Sequence, residues 1–171
     1  MRSIALAIAA VLLLASCSDD PEPIEPTATR GPSDTPPTLP ASAREDTPGG
    51  AANFVKYWIE VSNYAAQTGD TSELKEISDT DCAGCEKYID LYESIYSNGG
   101  SIKGATRRLG EVDMEITGRE VLVRGDVRAE EGRYRDSKDE SERVSKANVT
   151  PVEFAVTFEK KWTMKQIGLP E

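Results

Sequence analysis

Hydrophobic side chains recur at helical spacing between residues 51 and 66, and this stretch carries the strongest structural signal in the chain. The repeat is formed by Phe54, Trp58, Val61 and Ala65, and Tyr57 and Tyr64 widen the same face. Aromatic residues make up only 6% of the sequence, yet one of its two tryptophans and two of its six tyrosines fall here. Because aromatic side chains supply much of the buried area of a core, we expect a deeply buried helix.

Two further helices are predicted before residue 100. Asp70 or Thr71 is placed to cap a short second helix, and Glu73 is placed for a capping box. Leu74 and Ile77 of this helix are expected to face inward. A third helix is predicted from about Cys82 to Ser97, and it ends before two glycines. Its apolar face consists of Tyr88, Ile89, Tyr92, Ile95 and Tyr96.

From Ile102 onward the pattern changes to alternation, which is typical of half-buried strands. The apolar faces of four predicted strands are Val112, Met114 and Ile116; Val121, Val123, Val127 and Ala129; Val152, Phe154, Val156 and Phe158; and Trp162, Met164 and Ile167. We therefore predict an α+β fold in which three N-terminal helices pack on an antiparallel sheet of about four strands.

The charged stretch from Glu130 to Lys146 is interpreted as an exposed hairpin that continues this sheet and turns within residues 136–140. A charged recognition ribbon is the alternative interpretation.

Residues 1–16 have the features of a bacterial lipoprotein signal peptide. Arg2 precedes an apolar run from Ile4 to Leu14, which is shorter than the roughly 20 residues that a membrane-spanning helix needs. The sequence Leu14-Ala15-Ser16-Cys17 resembles the lipobox, in which the cysteine is joined to diacylglycerol and becomes the first residue. Acyl chains on Cys17 would hold the protein on the outer side of the cell membrane. An ordinary signal peptide with a chance cysteine is the alternative.

Residues 17–50 are predicted to be a disordered tether between the lipid on Cys17 and a globular domain at residues 51–171. The stretch from Ser18 to Gly50 contains eight of the ten prolines and few large apolar residues, so it cannot bury enough surface to offset its ordering entropy. A proline-rich docking ligand around Pro36, Pro37 and Pro40 is the sharper alternative.

The formal net charge of −10 argues against binding to nucleic acid, because phosphates would be repelled. The same charge disfavours electrostatic binding to anionic lipids. We therefore expect membrane contact only through the lipid on Cys17.

Cys82 and Cys85 form the one motif with reactive potential. A CxxC pair at a helix N-terminus can hold a low-pKa thiolate and exchange disulfides. Asp79 and Asp81 oppose thiolate formation, and close cysteines outside the cytoplasm are expected to oxidise. We favour a structural disulfide, and we expect no metal site because two thiols without histidine are too few for structural zinc.

The order of motifs resembles a lipoprotein family of unknown function from high-GC Gram-positive bacteria. The resemblance is carried by Phe54, Trp58, Thr68-Gly69-Asp70, Leu74, Cys82, Cys85, Tyr92 and Gly99-Gly100. Such domains look like the cone-shaped fold of nuclear transport factor two (NTF2), SnoaL-type polyketide cyclases and ketosteroid isomerase. The resemblance implies a curved antiparallel sheet that wraps the first helix. Enzymes of that fold use an Asp or His base inside the cone.

The function expected from these features is that of a non-catalytic binding or structural domain without a cofactor. Its partner would be a cell-envelope protein or a small molecule. One alternative is a cone-fold isomerase or hydrolase with a buried carboxylate in a cavity lined by Tyr57, Tyr64, Tyr88 and Tyr92. A second alternative is an exported thiol oxidoreductase that uses Cys82 and Cys85.

Overall fold

The structure is a computed structural model that describes residues 35–170. The predicted signal peptide at residues 1–16, Cys17 and the first half of the predicted tether lie outside this range. Within the part of the chain that the structure describes, no helix is long and apolar enough to cross a membrane.

Within residues 35–170, three α-helices precede seven strands. A short 3-10 helix at Ala41–Arg44 leads into helix α1 (Pro48–Thr68), α2 (Ser72–Glu76) and α3 (Ala83–Ser97). The strands are β1 (Gly99–Gly104), β2 (Arg107–Thr117), β3 (Glu120–Ala129), β4 (Gly132–Ser137), β5 (Arg143–Ser145), β6 (Asn148–Phe158) and β7 (Trp162–Gly168).

Helix α1 is the buried helix that the sequence predicts. Thr47 caps it by accepting a hydrogen bond from the Gly50 amide at 3.0 Å, and Pro48 fits the first turn because its missing N–H has no helical partner there. Gly69 ends the helix in the left-handed conformation, with φ of 80°. The predicted inward face is confirmed, since Phe54, Trp58, Val61 and Ala65 are all buried.

Helices α2 and α3 also match their predicted positions. Leu74 and Ile77 are buried as expected. The predicted capping box is absent, because Glu73 instead accepts a hydrogen bond from the Tyr57 hydroxyl at 2.8 Å. The Asp70 carboxylate instead satisfies the first amide of α2, because it accepts a hydrogen bond from the Ser72 N–H at 3.0 Å.

The strands form two antiparallel sheets, so the prediction of one sheet with about four strands is wrong. The larger sheet has the order β2-β3-β6-β7, and the smaller has the order β1-β4-β5. The chain bends where β1 passes into β2, because Gly104 and Ala105 both have positive φ, at 66° and 53°. Gly132 is needed opposite this bend, since a Cβ there would lie 2.4 Å from the Ala105 nitrogen.

The charged hairpin is present but does not continue the larger sheet. Strands β4 and β5 pair with each other, and β4 pairs with β1 in the smaller sheet. The bend at Gly104 and Ala105 turns β1 away from the larger sheet, and β4 pairs with β1, so the predicted placement of this hairpin is wrong.

Two irregularities in register keep apolar side chains on the inner face of the larger sheet. The pairing of β2 with β3 shifts between Leu109 and Val112, so both residues face the helices although they are three apart. The pairing of β6 with β7 shifts between Ala155 and Val156, which has the same effect for Met164 and Ile167. Without each shift, strict alternation would turn the apolar side chains beyond it to the outer face of the sheet.

The end of β2 departs from the predicted burial. Met114 and Ile116 lie opposite the buried Val123 and Val121 and so share their face. They are nevertheless 44% and 65% exposed, because β2 is an edge strand and the packed helices do not cover its last residues.

The folded domain begins earlier than the predicted boundary between residues 50 and 51. Ala43 is 1% exposed, and Leu39 packs against the core. The Trp162 indole N–H donates to the Glu45 carbonyl at 2.9 Å, which ties this segment to β7. The prediction of a disordered tether is therefore wrong for residues 41–50, which carry enough apolar and hydrogen-bonding groups to dock on the domain.

A chain that begins at residue 51 should be less stable than one that begins at residue 35. The shorter chain loses the Thr47 cap and leaves the buried Trp162 indole without an acceptor, for a total of roughly 2–4 kcal/mol. Urea unfolding of the two chains measures the difference directly. Equal unfolding free energies would show that residues 35–50 do not contribute to the fold.

Candidate functional site

The predicted disulfide between Cys82 and Cys85 is present in the structure. Cys82 is the N-cap of α3, and its sulfur accepts a hydrogen bond from the Cys85 amide at 3.2 Å. Both cysteines are only 1% exposed. A partner thiol needs access to one of the sulfur atoms, so this burial is typical of a structural bond.

The residues around the disulfide fasten α3 to the edge of the larger sheet. A Cβ on Gly84 would lie 2.4 Å from the Ile167 carbonyl oxygen, so only glycine allows the helix to approach β7 this closely. The Asp79 amide donates to the Met164 carbonyl at 2.8 Å, and the Met164 amide donates to the Ile77 carbonyl at 3.0 Å. These bonds add residues 77–79 to the free edge of β7.

A charged pair reinforces the same junction. The Lys165 ammonium donates a hydrogen bond to the Asp79 carboxylate, and this bond holds the pKa of Asp79 below its ordinary value. Asp79 therefore belongs to a structural ion pair with Lys165. The sequence analysis expected its negative charge to oppose ionisation of the Cys82 and Cys85 thiols.

The space between α1 and α3 is filled by aromatic rings. Trp58 and Tyr88 make an edge-to-face contact with ring centres 5.8 Å apart, and Tyr88 and Tyr92 lie 6.3 Å apart. The Trp58 indole N–H donates to the Ser78 hydroxyl at 2.9 Å. These contacts leave Trp58 and Tyr92 only 2% and 0% exposed.

Arg107 joins this aromatic cluster from the first residue of β2. Its guanidinium Nη1 donates to the Tyr92 hydroxyl at 2.8 Å, and its Cζ lies 5.1 Å from the centre of the Tyr88 ring. The Tyr92 hydroxyl is also hydrogen-bonded to Ser62 at 3.0 Å. No carboxylate of the described residues forms an ion pair with Arg107. The sequence analysis did not identify Arg107, because a single arginine at the start of a strand belongs to no recognisable motif.

The four tyrosines expected to line one cavity do not share one. The Tyr57 hydroxyl is bonded to Glu73 at the start of α2, and burial raises the pKa of Tyr57 well above its ordinary value. Tyr88 and Tyr92 belong to the aromatic cluster, and Tyr64 is half-buried on α1. The arrangement therefore brings together only two of the four.

An open cleft of about 570 Å³ lies at another part of the domain. Residues 46–48, where the chain enters α1, form one side, and the turns that join β2 to β3 and β6 to β7 form the others. Apolar lining comes from Ile116, Val121, Phe158 and Trp162, and charged lining comes from Asp46, Arg119, Glu120, Glu159 and Lys165.

The cleft combines an aromatic floor with a rim of both charges. Phe158 and Trp162 make an edge-to-face contact with centres 5.1 Å apart, which fixes both rings beneath the opening. In ligand sites generally, an apolar surface packs against an apolar group of the ligand, and polar residues at the rim orient its polar groups. The sequence placed these aromatic residues in the core, and no motif indicated that the cleft above them is open.

Solved structures share the α+β architecture at low sequence identity. The intermembrane-space region of the chloroplast protein ARC6 aligns with a TM-score of 0.54 and 14% identity, over 72% of this chain and 96% of that chain. An NTF2-like protein with a cystatin-like fold from Novosphingobium aromaticivorans aligns with a TM-score of 0.40 and 13% identity, over 74% of this chain and 92% of that one. The likeness to the ARC6 region shows a shared fold, which is α+β by its helices and antiparallel strands.

The chain itself belongs to a family without an assigned activity. Residues 24–167 match the family described as "Family of unknown function (DUF6318)". No curated protein matches the sequence. The predicted resemblance to a family of unknown function is thus confirmed, and the match includes part of the region expected to be a tether.

Replacing both Cys82 and Cys85 by serine should leave the domain folded but less stable by about 2 kcal/mol, since the bond closes a short loop. Thermal unfolding with and without the substitutions measures this loss. The native protein should also resist dithiothreitol until denaturant is added, because both sulfur atoms are buried. Rapid reduction of the native protein, with turnover in an insulin-reduction assay, would contradict the structural role.

Proposed function

We propose that the protein is a membrane-anchored extracytoplasmic lipoprotein, of the kind found in high-GC Gram-positive bacteria, whose domain is a non-catalytic binding module. The lipobox-like sequence that ends at Cys17 supports the anchor. The proline-rich residues that follow it provide a spacer between the membrane and the domain.

One observation carries the binding role: aromatic rings fill the place where a buried-carboxylate enzyme was expected to have its cavity, while a cleft is open at another part of the domain. Trp58, Tyr88 and Tyr92 pack against one another between α1 and α3. The cleft lies above Phe158 and Trp162, and its apolar floor and charged rim suit a ligand or a protein side chain.

The contacts of the carboxylates favour this proposal over a buried-carboxylate enzyme. Glu73 accepts from Tyr57, and Glu93 accepts from Thr71 at 2.6 Å and pairs with Lys75. Hydrogen bonding to Lys75 holds the pKa of Glu93 below its ordinary value, whereas a general acid at neutral pH needs a raised pKa. Burial of Cys82 and Cys85 likewise disfavours the thiol oxidoreductase.

The occupant of the cleft is a cell-envelope protein or a small molecule that presents an apolar group. The rim offers such a partner hydrogen-bond donors from Arg119 and Lys165. It offers acceptors from Asp46, Glu120 and Glu159. The likeness to ARC6 supports the fold and says nothing about the ligand.

The lipid anchor predicts a diacylglyceryl group on Cys17. Mass spectrometry of protein extracted from membranes should find this mass on an N-terminal Cys17. The variant Cys17→Ala should remain uncleaved or be released into the medium, because one apolar leader without acyl chains does not provide a stable anchor. Mature protein that begins near Cys17 and carries no lipid would support an ordinary signal peptide instead.

A further inference from the structure

The edges of the two sheets are covered unequally. Residues 77–79 pair with β7, and helix α3 packs along β1. Asn63 of α1 covers the start of β2, because its side-chain amide makes two hydrogen bonds to the Arg107 backbone, at 2.8 and 2.9 Å. Strand β5 is also an edge, but it has only three residues.

Residues 112–117 of β2 form the longest uncovered edge in the part of the chain that the structure describes. They pair with β3 on one side, and no described segment pairs with them on the other. The unpaired backbone N–H and C=O groups of such an edge can accept a further strand. We refer to residues 112–117 as the open edge.

The inner face of the open edge is apolar and leads into the cleft. Met114 and Ile116 are 44% and 65% exposed, and Ile116 lines the cleft. Exposed apolar side chains beside an unpaired backbone invite pairing, and natural proteins usually block such edges with lysine, proline or a covering segment. An added strand would shield both side chains.

The outer face of the open edge carries excess negative charge. Arg124 of β3 is shared by two carboxylates, those of Glu115 at 2.7 Å and Glu153. Asp113 lies opposite Arg124 in register, yet it forms no ion pair with any described residue. Two carboxylates thus share the Arg124 guanidinium while Asp113 has no cationic partner, so a neighbouring strand would meet a net negative surface.

We propose that the open edge binds an extended segment of a partner protein in which apolar residues alternate with lysine or arginine. The apolar residues would pack on Met114 and Ile116, and the basic residues would face Asp113 and Glu115. This inference rests on the proposed binding function. It specifies the kind of protein segment that would bind at the end of the domain where the cleft lies.

A second copy of the chain is a poorer occupant of the open edge than a basic strand. Symmetric antiparallel pairing of two such edges would place Asp113 and Glu115 of one copy against the same residues of the other. Like charges directly opposite each other on neighbouring strands are destabilising.

The test uses the full chain in detergent and two end-blocked peptides of equal composition. In the first peptide lysine and valine alternate, and in the second the lysines and valines are segregated. Hydrogen exchange followed by mass spectrometry should show slower exchange of residues 112–117 with the alternating peptide and little change with the segregated one. Adding salt should weaken the binding, because charged groups contribute to it.

Two charge-reversal variants test the role of the negative charge, one in the open edge and one as a matched control elsewhere. Asp113→Lys should weaken binding of the alternating peptide about fivefold, because it replaces an attractive cross-strand pair with a repulsive one. Asp139→Lys, which makes the same charge change in the exposed turn between β4 and β5, should leave the affinity within twofold.

Equal binding of the two peptides, or an equal loss in the two variants, would show that net charge alone attracts the peptide and would overturn the proposal. Absence of protection at residues 112–117 would overturn it as well. None of these outcomes affects the lipid on Cys17, so failure of the open edge and failure of the anchored lipoprotein can be told apart.

Discussion

The burial of helix α1 is the constraint on which the rest of the structure depends. Strands from both sheets, helices α2 and α3 and the preceding 3-10 helix all contact it. Tyr57 and Ile59 are only 2% and 4% exposed, although their side chains leave the helix in nearly opposite directions. A helix that is covered on several sides cannot fold alone, so each element that contacts α1 is placed by the surface of α1 that it covers.

Polar groups on α1 specify how those elements are placed. Hydrophobic burial is non-directional and alone would allow the sheets to slide along the helix. Asn63 binds both backbone groups of Arg107, and Ser62 binds the Tyr92 hydroxyl. Trp58 binds Ser78. Each buried polar group would be costly without its partner, so these bonds fix the positions of β2, α3 and the segment after α2.

Sequence patterns were sufficient for features that depend on local periodicity. The spacing of Phe54, Trp58 and Val61 predicts the inward face of α1, and alternation predicts the inner faces of β3 and β6. The spacing of Cys82 and Cys85 predicts the disulfide, because a bond between residues three apart needs little tertiary context.

Features that depend on tertiary geometry were not predictable in the same way. The division into two sheets follows from positive φ at Gly104 and Ala105, and alanine carries no signal for that conformation. The exposure of Ile116 follows from where the helices end, although its alternation with Val112 is that of a buried face. Residues 41–50 look like a tether by composition, yet the Glu45 carbonyl meets the Trp162 indole, 117 positions along the chain.

The stability of Trp58 variants tests the central claim that the fold is built around α1. Trp58→Ala should lower the free energy of unfolding by about 3–5 kcal/mol, because it empties space under the aromatic cluster and leaves Ser78 without its donor. Lys56→Ala, on the exposed side of the same helix, should change it by less than about 0.5 kcal/mol. Urea unfolding of both variants in parallel provides the comparison. Losses of similar size would contradict the account, because they would mean that α1 does not bury the face assigned to it.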